Sequence, residues 1–209
     1  MKTIVLIIVL VSSAFSQGTY LSDENGLSAG LIYGKYSSES KFGYTASFSL
    51  KGFLDLSYTR TSISSKEKSS NFQNEYFLRA YAFKKNKIFA SIALGYLYGE
   101  AKTELWKDFT LKVVSDGFAF EGGIHYSNTI QKNKRMVISF IYRYFEPTIK
   151  MQAPSVNTTS SDLNRAYRID AALIYYFSQL GVAIGPSFVM EYDIGNAFFG
   201  LNLQIIFRH

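Results

Sequence analysis

From residue 27 to the C-terminus, apolar and polar positions alternate with a period of two, the spacing of strands whose successive side chains face opposite sides. The alternation predicts ten strands at 27–36, 42–50, 53–62, 75–83, 87–99, 117–127, 135–145, 165–177, 181–191 and 197–207. In the second, Tyr44, Ala46, Phe48 and Leu50 share one face, and Gly43, Thr45, Ser47 and Ser49 the other. In the fifth, Ile88, Ala90, Ile92, Leu94, Tyr96 and Tyr98 oppose Ser91, Ala93 and Gly95. In the eighth, Tyr167, Ile169, Ala171 and Leu173 oppose Arg168, Asp170 and Ala172. The tenth sets Phe199, Leu201, Leu203, Ile205 and Phe207 against Gly200, Asn202 and Gln204. The fourth is less regular, because Phe77, Tyr81 and Phe83 share a face with Arg79.

Most of these stretches run 9–13 residues, the length a tilted strand needs to cross a bilayer. The connections alternate in length. Residues 51–52, 84–86, 128–134 and 178–180 are short links, and 63–74, 100–116 and 146–164 are long polar segments expected to be loops. Short turns on one side and long loops on the other fit a transmembrane antiparallel up-and-down β-barrel of ten strands, eight being the alternative, with both termini periplasmic. Closure has a physical reason: in hydrocarbon, an open sheet edge leaves a row of backbone groups without partners. A soluble lipocalin-like barrel is the rival, and it would turn its apolar face inward.

Residues 1–16 read as a cleavable secretory signal. Lys2 is the positive start, Ile4 to Val11 the apolar core, and Ala14-Phe15-Ser16 the cleavage site. Residues 17–26 then form a lead segment and 27–209 the barrel. Removing Lys2 with the signal brings the net charge from +6 to +5. The basic residues are dispersed and the chain is exported, so the charge points to phosphate at a membrane surface and not to nucleic acid. There is no cysteine, which excludes a disulfide framework and a lipoprotein anchor. Aromatics make up 17% of the chain and Pro is only 3, which favours strands over helices.

On this pattern, and on the near-terminal aromatic Phe207, the chain resembles the small outer-membrane β-barrel proteins of Gram-negative bacteria, the outer-membrane protein X-like and A-like class. The resemblance implies an outer-membrane location, contact with lipid and lipopolysaccharide, and delivery by the barrel-assembly machinery through the C-terminal strand. Arg208-His209 after Phe207, and ten strands where eight are usual, are departures.

Charges of both signs fall on the inward face: Asp55, Arg79, Glu121, Arg143, Arg168, Asp170 and Glu191, with His125 among them. The expectation is a salt-bridged network that fills a narrow lumen; a narrow ion or solute path is the alternative. Glu121 and Arg143 are expected within diagonal reach. His125-Tyr126-Ser127-Asn128 resembles the His-x-Ser-Asn motif of outer-membrane lipid A deacylases. That resemblance implies His125 as base, Ser127 as nucleophile and Asn128 as oxyanion donor. The motif lies mid-chain here, and Ser139 stands where that family carries its Glu. No cofactor or metal motif is present: His125 is isolated and His209 is terminal. The expected role is therefore non-enzymatic, with long surface loops meeting an unidentified partner.

Overall fold

The computed structural model describes residues 25–36, 39–64, 69–85, 87–106, 109–153, 156–161, 164–177, 182–193 and 196–208. The signal segment 1–16, most of the lead segment and the Lys66-Glu67-Lys68 run lie outside them. Twelve strands are formed: β1 (Gly26–Tyr36), β2 (Glu39–Leu50), β3 (Leu54–Ser64), β4 (Ser69–Lys85), β5 (Ile88–Trp106), β6 (Phe109–Gln131), β7 (Lys134–Phe145), β8 (Thr148–Ala153), β9 (Val156–Ser161), β10 (Asn164–Phe177), β11 (Val182–Asp193) and β12 (Asn196–Arg208). Each pairs antiparallel with its neighbours. β1 pairs with β12 and β5 with β6, so the ring β1–β7, β10, β11, β12 closes on itself as a ten-stranded barrel. Those ten strands are the ten read from the alternation.

The two remaining strands lie where a loop was expected. The polar segments 63–74, 100–116 and 146–164 are mostly strand: β5 and β6 extend to Trp106 and Phe109, and β8–β9 adds to the extension of β6. The physical reason is that the period of two persists beyond the apolar zone. Ala101, Val113 and Ile149 point to one side and pack with Leu111 and Met151, while Lys102, Lys112 and Lys150 face away from them. Between β7 and β8, Glu146-Pro147 breaks the strand, since Pro cannot donate to the ladder. Gly117 of β6 admits that break: a Cβ there would lie 2.5 Å from the Glu146 carbonyl oxygen.

At the opposite end the links are tight. Lys51 and Gly52 have φ of 47° and 64°, the left-handed pair that a mirror-image hairpin turn needs, and Phe53 N–H donates to the Leu50 carbonyl at 3.1 Å.

The sides of the barrel are inverted relative to a soluble protein. Leu31, Phe42, Phe48, Leu78, Ile92, Phe120 and Ile124 are exposed on the outer face. Among the described residues, twenty polar or charged side chains are buried against sixteen apolar ones. That ratio overturns the lipocalin-like rival, which needs an apolar interior. Tyr58, Tyr76, Tyr96 and Phe118 form one outward line across β3 to β6. The hydroxyls of Tyr58 and Tyr96 lean toward the β8–β9 end: Tyr58 donates to Asn74 at 3.1 Å and Tyr96 to Asp116 at 3.2 Å. Amphipathic rings at an interface behave this way, with ring in apolar surroundings and hydroxyl toward water. Along β5, Ile88 to Tyr98 covers about 25 Å of height once strand tilt is included, the height of the apolar band on membrane barrels.

Candidate functional site: the charged lumen

One level of the ring explains the interior. Asp55, Arg79, Ala93, Glu121, Arg143 and Ala166 are successive cross-strand partners on β3, β4, β5, β6, β7 and β10. Alternation sends all six inward. Charges of opposite sign sit side by side, and the alanines leave room between them. Across Ala93, Arg79 Nη2 donates to Glu121 Oε2. Arg143 Nε donates to Glu121 Oε1 at 2.6 Å, so one carboxylate holds two guanidinium groups. Register makes Glu121 and Arg143 direct partners, closer than the diagonal expected.

The network continues toward the β8–β9 end. Arg143 Nη1 donates to Glu75 Oε1 at 3.5 Å, and Gln73 Nε2 donates to the same oxygen at 3.1 Å. The Arg143 guanidinium lies 4.8 Å over the Phe77 ring. Phe77 in turn occupies the space above Gly95, where a Cβ would fall 2.3 Å from the ring. Phe77, Ala93, Leu97, Ala119 and Phe145 make a small apolar cluster beneath the charges. Glu75 and the aromatic floor were not singled out from the sequence, because the fourth strand mixes ring and charge on its inward face. The signal was present in the parity of Glu75, Phe77 and Arg79.

Toward the other end, Tyr81 Oη donates to Asp55 Oδ2 at 3.0 Å, and Arg168 Nε to Asp170 Oδ1 at 2.8 Å. Glu191 is the cross-strand partner of Arg168 on β11. His125 is buried and stacks on Phe89 at 5.1 Å. Its Nε2 meets Ser91 Oγ at 2.7 Å and its Nδ1 meets Ser139 Oγ at 2.9 Å. Both ring nitrogens are thereby engaged, and neither contact is to Ser127. Gly123 leaves space for this triplet, since a Cβ there would lie 2.8 Å from Ser91 Oγ. Ser127 and Asn128 lie farther along β6, where Ser127 N–H donates to the Lys87 carbonyl. A base–nucleophile pair of His125 with Ser127 is not assembled.

The buried charged groups among the described residues, besides His125, are Lys41, Arg79, Arg143 and Arg168 against Asp55, Glu75, Glu121 and Asp170. Among these described groups, four cations stand with four carboxylates, so their formal charges balance. Among the described residues, no group of His, Asp and Glu is placed to hold a metal ion.

Outside the barrel, above the aromatic line, Glu100 lies 3.0 Å from the ammonium groups of both Lys102 and Lys112. Hydrogen bonds from Lys112 and then Lys102 hold its carboxyl below the usual carboxylate range.

No family model matches the chain, and no curated protein matches it. Solved structures do. The translocator domain of the autotransporter NalP from Neisseria meningitidis superposes with a TM-score of 0.58 at 7% identity, covering 90% of this chain and 89% of that one. The outer-membrane protease OmpT from Escherichia coli gives 0.50 at 7% identity, covering 90% and 94%. The N-terminal β-barrel domain of Pseudomonas aeruginosa OprF gives 0.38 at 9% identity, covering 89% and 98%. The fold of this chain is thus that of the Gram-negative outer-membrane β-barrels.

Proposed function

We propose that the chain is an outer-membrane protein with a closed lumen, exported by the cleavable signal 1–16, whose role is structural or interactive and not enzymatic. In this reading both termini face the periplasm. The extended sheet of β5, β6, β8 and β9 stands on the cell surface, where it meets lipopolysaccharide and a surface partner. The C-terminal strand β12 is the segment read by the barrel-assembly machinery. The observation that carries the closed lumen is the Glu121 carboxylate, clamped by Arg79 and Arg143 at mid-height and backed by Phe77 and Phe145. A network with balanced charge fills the space a solute would need, and side chains can fill a barrel this narrow. The similarity to a translocator domain and to a protease is one of fold and carries neither activity to this chain. Single-channel recording in a planar bilayer tests the proposal. Folded protein should insert without steady conductance. A persistent ohmic current from the wild-type chain would replace the closed lumen with a pore.

A further inference from the structure

A concavity lies on the outer face of the barrel. A groove of about 580 Å³ lies over β4 to β7, with Leu78, Ala80, Ile92, Gly122, Tyr142 and Tyr144 in its lining. Register explains it. Ala80, Ile92, Gly122 and Tyr142 are successive cross-strand partners. The small Ala80 and the absent side chain of Gly122 set the floor between larger neighbours. A Cβ on Gly122 would find nothing within 4 Å. The gap is therefore a true depression of the outer face, and backbone packing does not require glycine there.

Farther up the same strands, beyond the ring of Tyr96 and Phe118, three lysines gather. Lys102 of β5 is directly opposite Lys112 of β6, and Lys150 of β8 is one diagonal step from Lys112. Like charges directly opposite repel. Glu100 offsets two of them, at 3.0 Å each, and Asp116 accepts from Tyr96. Lys150 is exposed and makes no ion pair among the described residues. The spacing between the two features matches one molecule. From Val114, the partner of Lys150, to Phe120 beside the groove is six residues. That is about 20 Å along the strand and about 15 Å of depth after tilt, half of a ~30 Å hydrocarbon core.

We propose that this face is a binding site for one membrane lipid of the surrounding leaflet, an acylated amphiphile with an anionic phosphate headgroup. The phosphate sits on Lys112 and Lys150 and an acyl chain runs down past Phe118 into the groove at Gly122. The proposal rests on the membrane-barrel reading. The chain gains no hydrophobic free energy in the groove, since lipid surrounds it either way; what selects it is close packing against a fixed, concave wall. The lysines add attraction for a headgroup whose charge is the phosphate's.

Native mass spectrometry tests it on the full mature barrel, folded in phosphatidylcholine vesicles that contain dimyristoyl phosphatidic acid and then released. The wild-type barrel should retain one phosphatidic acid. Dimyristoylglycerol, with the same chains and no phosphate, and inorganic phosphate, with no chain, should not be retained. Gly122→Phe places its Cβ in open space and its ring in the groove; it should fold normally, yet hold the lipid about three- to tenfold more weakly. Lys112→Gln and Lys150→Gln should each weaken it by about fivefold. Equal retention of dimyristoylglycerol, or unchanged retention by Gly122→Phe, overturns the site while leaving the barrel intact. Failure of the wild-type chain to shift on heat-modifiability gels after exposure to vesicles overturns the membrane reading and the site with it.

Discussion

Glu121→Gln is the sharpest perturbation of the lumen. The carboxylate holds Arg79 on one oxygen and Arg143 on the other, and its side chain is 3% exposed. Glutamine keeps the shape and removes the charge. Four buried cations then face three carboxylates. Removing one partner of a buried ion pair costs about 3–5 kcal/mol. Part of that is recovered here, because Arg143 keeps Glu75 and Arg79 lies opposite Asp55. The expected loss is therefore near the lower bound, about 3 kcal/mol. Arg143→Gln takes the guanidinium from Glu75 but leaves Glu121 with Arg79, so its cost should be similar or smaller. The double variant removes a mutual pair, so the two costs should overlap, with a coupling of about 1–3 kcal/mol. The assay is reversible unfolding in guanidinium from phospholipid vesicles, followed by gel shift and fluorescence, for wild type, both singles and the double. Singles that cost less than about 0.5 kcal/mol, or a coupling below that figure, would mean that water solvates these groups. The closed lumen would then lose its support.

Other expectations follow from the same geometry. Leu94→Arg, on the exposed outer face, should destabilise the barrel by about 2–4 kcal/mol, whereas Ser57→Ala on the inner face should stay within about 0.5 kcal/mol; equal costs in vesicle unfolding would reverse inside and outside. Gly95→Ala should cost about 1–3 kcal/mol by displacing Phe77, and a crystal structure of the variant should show the ring moved away from Arg143. A cysteine at Asn157 should react with an impermeant reagent on intact cells and one at Asn133 should not; the opposite result would invert the barrel. The Glu100 carboxyl, lowered by Lys112 and Lys102, should titrate below a free carboxylate by NMR, and Lys112→Gln should raise it. Its contribution to stability is present above the unfolded carboxylate range and is lost as pH falls through the lowered value.

The ten barrel strands were legible because the period of two is sharpest where one face meets apolar surroundings, as in Tyr44 to Leu50 or Phe199 to Phe207. The strand extensions were not, because Lys102, Glu104, Thr110 and Lys112 read as loop when only hydrophobicity is weighed. Parity survives there in Ala101, Val113 and Ser115, all buried on one side. Inward parity likewise marked Asp55, Arg79, Glu121, Arg143, Arg168 and Asp170 as one face. Parity alone does not give register, and register is what makes Glu121 the partner of two arginines and brings Ser91 and Ser139 to His125. The His125–Ser127 spacing suggested a dyad because i and i+2 share a face. On a strand such neighbours lie about 6–7 Å apart along the chain, and cross-strand partners, at about 5 Å, reach the imidazole first.

The division of residue sizes around the ring accounts for how ten strands close over charge. On β1 to β3 most inward positions are small, among them Ser28, Gly30, Gly34, Thr45, Ser47, Ser57 and Thr59, with Ile32, Lys41 and Asp55 the larger buried side chains. On β4, β6, β7 and β10 they carry Glu75, Arg79, Glu121, His125, Arg143, Arg168 and Asp170. One wall supplies volume and the other supplies length. Ser28 and Ser47 bond each other at 2.7 Å, and Thr59 donates to Thr45 at 3.1 Å, so these hydroxyls of the small wall pair with one another. The large wall pairs its charges over short reaches: Glu121 with its register partner Arg143, Arg79 with Glu121 across Ala93, and Arg168 with Asp170 on one strand. Had the charges been dispersed around the ring, each would have faced a distant partner across the lumen and required water. Concentrated on adjacent strands, they meet at about strand spacing, where a paired network rigidifies the interior. In the proposed reading this middle layer holds the barrel shut. The proposed recognition surfaces are then the projecting sheet, where Lys150 makes no ion pair among the described residues, and the outer face with its groove over β4 to β7.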